Sequence, residues 1–344
     1  MPLIDLRSDT VTQPTPAMRE AMYRAELGDD VFGEDPTVNR LEEMAAEKLG
    51  KERALLVVSG TMGNLVGVLS HTQRGDEVIV GDQSHIFLYE VGGCSALGGV
   101  QMRTVPNVRG LLPLEAVEAA IRGPNIHFPR TGLICLENTH NRCGGAVLTV
   151  EYTRQLCALA HRHGIPVHLD GARIFNAAVA LGVDVKELVA DVDSVTFCLS
   201  KGLCGPVGSL LCGSAAYIER ARKYRKMVGG GMRQAGIIAA AGIVCLEQMI
   251  DRLAEDHENA RRLAIGLAEI PGIILDPTTV QTNIVIFELA EDRLTAAEFA
   301  ARLKSEGVLC GAIGPRRVRM VTHYGITAAD IETTLRAVSR VMAA

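Results

Sequence analysis

Short β-rich runs alternate with helical patterns through the middle of this chain, and that alternation restricts the fold more than any other feature. The runs are Ala54–Val58, Glu77–Val80, Val100–Val105, Gly132–Glu137, Pro166–Leu169, Ser194–Leu199 and Val207–Cys212. Strands separated by crossover helices build a parallel sheet. Residues 150–163 read as one such helix, with Leu156, Leu159 and Ala160 on one face, and 215–227 as another, basic on its exposed side. Val207–Cys212 follows its predecessor after a short turn, so that pair is expected to be antiparallel. A long helical pattern, about Arg233 to Ile270 with a break, then leads to a second alternation. Its parts are strand Thr282–Glu288, helix Thr295–Glu306, strand Val318–Thr322 and helix Ala328–Met342. The expectation is an α/β protein with a large, mostly parallel-sheet domain over 1–250 and a small α/β domain over 251–344. The opening segment, rich in turn formers, is expected to wrap a neighbouring surface.

Composition narrows the class. The 344 residues can bury a large core, and 48% hydrophobic with 22% charged residues is an ordinary globular balance. A net charge of −5 gives no reason to expect a nucleic-acid or anionic-membrane partner. The longest apolar run, Ala235 to Leu246, is too short to span a bilayer, and no apolar leader precedes the first charges. A cytoplasmic location is therefore expected. The nine cysteines show no Cys-x-x-Cys spacing, so neither disulfides nor a thiolate metal site is indicated, and no other metal-ligand cluster stands out. Cys135, Cys198 and Cys212 fall inside apolar strand patterns. Cys204, close behind Lys201, would be reactive if exposed and inert filler if buried.

Chemistry concentrates at two strand ends. Pro166-Val-His-Leu-Asp170 ends on a carboxylate, and Ser194-Val-Thr-Phe-Cys-Leu-Ser-Lys201 ends on an amine. Charges at the carboxyl ends of neighbouring buried strands sit where open α/β sheets bind ligands. An ordinary Asp–Lys ion pair would satisfy both. So would pyridoxal 5′-phosphate (PLP), which takes a lysine as a Schiff base and an acidic residue at its pyridine nitrogen. Lys201 is then the nucleophile, with Ser200 beside it as a phosphate ligand. Arg173, directly after the Asp170 strand, either clamps a substrate carboxylate or pairs with Asp170. Ser59-Gly60-Thr61-Met62-Gly63-Asn64 follows one strand and opens a helix, offering amides and a hydroxyl to an anion. His85 follows the next strand, where it would stack on an aromatic ring or move protons. His127 and His140 flank the strand 132–137, and Gly229-Gly-Gly-Met-Arg233 is a flexible loop ending in a cation.

Taken together, Leu6-Arg-Ser-Asp-Thr-Val-Thr12, Gly28-Asp-Asp-Val-Phe-Gly-Glu-Asp-Pro36, Glu137-Asn-Thr-His140, His168-Leu-Asp-Gly-Ala-Arg-Ile-Phe-Asn176, Leu199-Ser-Lys-Gly-Leu203 and Gly229-Gly-Gly-Met-Arg-Gln234 resemble the low-specificity L-threonine aldolases. The resemblance runs to Arg319-Met-Val-Thr-His323 and so covers essentially the whole chain. It implies a fold-type I PLP enzyme that splits threonine or allo-threonine into glycine and acetaldehyde. By motif position, Lys201 would hold the cofactor covalently, Asp170 would pair with its ring nitrogen, and His85 would stack on the ring. Gly60 and Thr61 would bind its phosphate, with Arg233 contributed by a neighbouring subunit. Ser8, Arg173 and Arg319 would hold the substrate carboxylate. The family is typically a homotetramer, a dimer of dimers.

The reaction needs a base for the β-hydroxyl proton, and His85, His127 and an ordered water are the candidates. Phe32 stands where many family members have tyrosine, so any hydrogen bond from that phenol is absent here. Cys143 and Cys204-Gly205 are smaller departures. Two other readings remain open: another fold-type I PLP lyase acting on β-substituted amino acids, and a PLP-binding homologue without catalysis.

Overall fold

The computed structural model describes residues 3–291 and 293–343. The chain enters through β1 (Ile4–Asp5), α1 (Pro16–Tyr23), α2 (Pro36–Leu49), β2 (Arg53–Val57) and α3 (Gly60–His71). Next come β3 (Glu77–Gly81), α4 (His85–Leu88), α5 (Gly93–Gly98), β4 (Gln101–Val105), α6 (Leu114–Ala120) and β5 (Thr131–Glu137). The central stretch continues with α7 (Val150–Arg162), β6 (Val167–Asp170), α8 (Ile174–Leu181), α9 (Val185–Val189) and β7 (Ser194–Cys198). Then follow β8 (Ser209–Gly213), α10 (Ala215–Met227), α11 (Gly236–Gln248) and α12 (Leu253–Ala268). The remainder is β9 (Ile273–Ile274), β10 (Ile284–Leu289), α13 (Ala296–Ser305), β11 (Val308–Leu309), β12 (Gly311–Ala312), β13 (Arg317–Val321) and α14 (Ala328–Ala343).

Seven strands form the large sheet in the order β2-β8-β7-β6-β5-β3-β4. The pairs from β7 through β4 are parallel, while β8 runs antiparallel to both β2 and β7. Every residue of β3, β5, β6 and β7 is buried, because helices cover both faces of a sheet of this kind. That double burial explains why these strands show no exposed polar face, and it encloses the polar residues His168, Ser194 and Thr196 within them. A direct consequence is one chemically equipped edge. The carboxyl ends of β3, β5, β6 and β7 share it, and α3 starts there after β2.

A second, antiparallel sheet has the order β12-β13-β10-β9 and its own core, which includes Phe287, Phe299 and Val338. Phe287 and Phe299 meet edge to face, with centroids 5.8 Å apart. The long helical pattern beyond residue 233 divides into α11 and α12 at Met249–Arg252. The opening segment is more than a wrap. It contains α1, β1 pairs in parallel with β11, and Leu6 is buried in the second core. No described helix is long and apolar enough to cross a membrane.

Candidate active site

Asp170 closes β6 and is 5% exposed. Its Oδ2 accepts from Asn64 Nδ2 at 2.9 Å, and its Oδ1 accepts from the Ala172 amide at 3.0 Å. The alternative pairing of Asp170 with Arg173 is not formed. Asn64 lies in the second turn of α3 and gives its other Nδ2 hydrogen to Glu90 Oε1 at 2.8 Å. The same Glu90 oxygen accepts from His85 Nδ1 at 2.9 Å. His85, Glu90 and Asp170 thus offer ligand atoms within 4.8 Å of one another, already joined through Asn64 and the His85–Glu90 bond.

Electrostatics follow from this crowding. Burial alone would lower the His85 pKa, but the Glu90 hydrogen bond and the Asp170 charge outweigh it and raise the value above 6.5. Burial raises the Glu90 carboxyl, the His85 bond opposes it, and Asp170 adds to the rise. Glu137, at the end of β5, holds the loops in place. One of its oxygens accepts from the His85 amide at 2.6 Å and the other from the Asn141 amide at 2.8 Å.

Lys201 follows β7, the strand next to β6, and is half-buried. Thr12 Oγ1 donates to its carbonyl at 3.3 Å. Its charge acts on both Asp9, in the opening segment, and His85, so the amine lies within electrostatic reach of both. Ser200 beside it is also half-buried. At the start of α3, Ser59 caps the helix by accepting from the Met62 amide at 3.1 Å. The Gly63 amide bonds back to the Ser59 carbonyl, so the Gly60 and Thr61 amides stand at the open helix end. A Cβ on Gly60 would lie 2.8 Å from Cys198 Sγ, so only glycine lets α3 start this close to the end of β7.

Arg173 is 6% exposed and pairs with Asp9, which is fully buried. Its Nε and Nη2 each donate to one Asp9 oxygen at 2.6 Å. Burial would raise the Asp9 carboxyl, but the Arg173 charge and hydrogen bonds hold it well below 3.8. Nη1 of Arg173 makes no hydrogen bond among the described residues. Arg319, on β13, donates to Asn141 Oδ1 at 3.0 Å and to the Arg7 carbonyl at 3.2 Å, while its buried Nε has no partner. Burial and the nearby Arg173 charge lower its pKa. Ser8 caps the turn Asp9–Val11 at the same place. A cleft of about 270 Å³ lined by His85, Tyr89, Asn141, Arg142, Ile313 and Arg319 opens here. A larger cavity of about 540 Å³ beside α2, α8 and α9 holds none of these residues.

Two expected residues lie elsewhere. His127 is exposed in the loop before β5, at the amino edge of the sheet, opposite Asp170. Arg233 is exposed and donates to Asp29 at 3.0 Å, with no hydrogen bond to Gly60 or Thr61. His140 is buried and its Nε2 lies 3.3 Å from Asn107 Nδ2. Cys204 is fully buried with its thiol pushed up to about 12, so it is filler. Asp9, Asn64, Glu90 and Asn141 were not singled out in the sequence. Asn64 had a readable signal: it stands four residues after Gly60, one helical turn in from the anion-binding end.

The residues fit PLP. A buried carboxylate, an amine, an imidazole and an open helix N-terminus converge, and Glu90 Oε2 and Arg319 Nε are buried polar atoms without partners among the described residues. Comparison with known proteins agrees with this chemistry. A family described as beta-eliminating lyase matches residues 5–290. Low-specificity L-threonine aldolase 1 of Arabidopsis thaliana is 50% identical over 98% of this chain and 96% of its own length. The low specificity L-threonine aldolase of Escherichia coli K12 is 48% identical over 94% of this chain and 95% of its own. The solved threonine aldolase of Leishmania major, at 20% identity, superposes with a TM-score of 0.84 over 98% of this chain and 99% of that one. The fold is therefore the expected fold-type I α/β architecture, and the chain belongs to the beta-eliminating lyase family, among the low-specificity L-threonine aldolases.

Proposed function

We propose that this chain is a PLP-dependent aldolase that cleaves L-threonine, L-allo-threonine and related β-hydroxy-α-amino acids to glycine and an aldehyde. The observation that carries the reading is the convergence of Asp170, Lys201 and the open end of α3 on one sheet edge. Lys201 would hold the cofactor covalently, and Asp170 would pair with its ring nitrogen. His85 would lie against the ring, and Gly60, Thr61 and Ser200 would take the phosphate. Bound PLP supplies the electron sink for breaking the Cα–Cβ bond.

The remaining work falls to side chains. Ser8, Arg319 and the free Nη1 of Arg173 hold the substrate carboxylate, which fixes the bond to be broken relative to the ring. His85 donates from Nδ1 to Glu90, so Nε2 is the atom free to take the β-hydroxyl proton. His127 could serve only in another copy's site, since it stands at the far edge of its own sheet. Arg233, 56% exposed, is likewise available to the phosphate of a neighbouring copy. Exposed Phe32, Leu88, Val91 and Met227 support self-association, and the dimer-of-dimers order follows from the family resemblance. We read the chain as two domains, divided near residue 250.

Lys201→Ala tests the assignment. Visible cofactor absorbance and turnover are expected to vanish together, and full turnover in that variant without added amine would overturn it. Acetaldehyde from threonine, rather than ammonia and pyruvate from serine or cysteine, separates an aldolase from another lyase of this fold.

A further inference from the structure

Behind Asp170 lies a hydrogen-bond chain that the proposed reaction does not use. Outward from the site it runs Asp170, Asn64, His168, Ser194, His71. His168 Nε2 is 3.2 Å from Asn64 Oδ1, and His168 Nδ1 is 2.8 Å from Ser194 Oγ. Ser194 Oγ is in turn 2.8 Å from His71 Nε2. His168 and Ser194 are fully buried. His71 ends α3 and lines a cavity of about 440 Å³ at the opposite sheet edge, with Lys51, Asp193 and Tyr217. Asn64 and His71 are seven residues apart on one helix, so the chain spans about 10 Å.

Donor counting fixes each proton. Asn64 faces two carboxyl groups, so both Nδ2 hydrogens point at them and Oδ1 points back at His168. That oxygen requires a donor, so His168 carries its hydrogen on Nε2. Burial holds the His168 pKa down to about 4, so the ring is neutral near pH 7 and Nδ1 accepts. Ser194 completes the chain by giving its hydroxyl hydrogen to Nδ1 and accepting from His71 Nε2, while its other neighbour, the Tyr217 hydroxyl, donates to the Gly67 carbonyl at 3.2 Å. Burial and the neighbouring His168 hold His71 at about 3, so it too is neutral. The chain has a single direction and ends on Asp170. Gly67 permits it, because a Cβ there would lie 2.8 Å from His168 Cε1.

We propose that His168 and Ser194 are positioning residues for Asp170. They lock the Asn64 amide in the one orientation that donates to Asp170 and Glu90, and through Asp170 they keep the cofactor's ring nitrogen protonated. The inference rests on Asp170 being the partner of that nitrogen.

The test uses the holoenzyme loaded with PLP carrying ¹⁵N in the ring. The ¹⁵N shift reads the protonation of the nitrogen, and fluorescence titration of the apoenzyme reads cofactor affinity. The wild type is expected to show a protonated nitrogen. His168→Phe should move the signal toward neutral pyridine and weaken cofactor binding about tenfold. Ser194→Ala should move both readouts the same way by less, and His168→Gln, which keeps an N–H near Nε2, should restore them. An unprotonated nitrogen in the wild type would overturn the role of Asp170 itself. A wild-type signal retained in His168→Phe and Ser194→Ala, whatever their melting temperatures, would overturn the relay and leave Asp170 in its role. If His168→Phe fails to fold, Ser194→Ala removes a single hydroxyl and decides alone.

Discussion

Replacing Asp9 by alanine should cost this protein much of its stability. The wild-type pair is fully enclosed: Asp9 is 0% and Arg173 6% exposed, joined by two hydrogen bonds of 2.6 Å. Asp9→Ala removes both charge-assisted bonds and leaves a buried guanidinium without its bonded counter-charge, with the more distant Glu137 still acting on it. Asn283 Nδ2 also loses a contact of 3.3 Å, although it keeps the Thr322 carbonyl at 3.0 Å. Breaking a buried ion pair from one side costs about 3–5 kcal/mol, against a typical total of about 5–15 kcal/mol. Urea unfolding followed by circular dichroism measures the loss. The double variant Asp9→Leu/Arg173→Met should lose less than Asp9→Leu alone, because it removes the orphaned charge as well as its partner. The effect also depends on pH. The folded state holds the Asp9 pKa below 3.8, so the unfolded chain takes up a proton first as pH falls. The contribution is complete above that value and fades below it, so the stability gap between wild type and Asp9→Asn should narrow in acid. A cost under about 1 kcal/mol for Asp9→Ala at neutral pH is the size expected of an exposed pair, and would refute this reasoning.

The proton-transfer assignment predicts a rising limb in kcat/KM. His85 acts in its neutral form and its pKa is raised above 6.5, so activity should increase with pH through an ionisation above that value. His85→Asn should abolish the limb, and a limb that persists in that variant would remove His85 as the base. Thiol chemistry should be sparse. Eight of the nine cysteines are buried and Cys143 is half-buried, so a thiol reagent should label one site in the folded protein and nine after denaturation. Burial pushes the Cys94 and Cys157 thiols up to about 12, so fast labelling of either at neutral pH would contradict the packing.

Much of the architecture can be read from the chain because its central strands are buried on both faces. The runs ending at Glu137, Asp170 and Cys198 are β-rich and buried throughout, and these three strands fall within a residue or two of the expected ones, whereas the two-residue strands β1, β9, β11 and β12 left no readable pattern. The placement of Asp170 and Lys201 on neighbouring strand ends follows from the same alternation. Contacts across long separations left no such trace. Nothing local to Arg173 points to Asp9, which is 164 residues away. The break expected in the pattern beyond residue 233 is present, but its place at Met249–Arg252 is not legible, because no glycine or proline marks it and both helices keep an apolar face. A lone histidine beyond a strand end carries no periodicity, so His85, which opens α4, and His127, in a loop, look alike in sequence although they occupy opposite edges of the sheet.

The opening segment also has a consequence for the order in which the protein can be made. Leu6 accepts from the Val321 amide, the Asp5 carbonyl bonds His323 Nε2, and Asp9 needs both Arg173 and Asn283. These residues leave the ribosome early, while their partners near 283 and 321 leave it last. The large sheet can therefore assemble during synthesis with Arg173 still lacking part of its enclosure. Closing contacts separated by almost the whole chain is slow, because the loop must be ordered before any contact rewards it. The proposed substrate-binding corner can close only after those late residues have been made, and a chain released before residue 283 would lack the Asn283, Val321 and His323 partners of its opening segment.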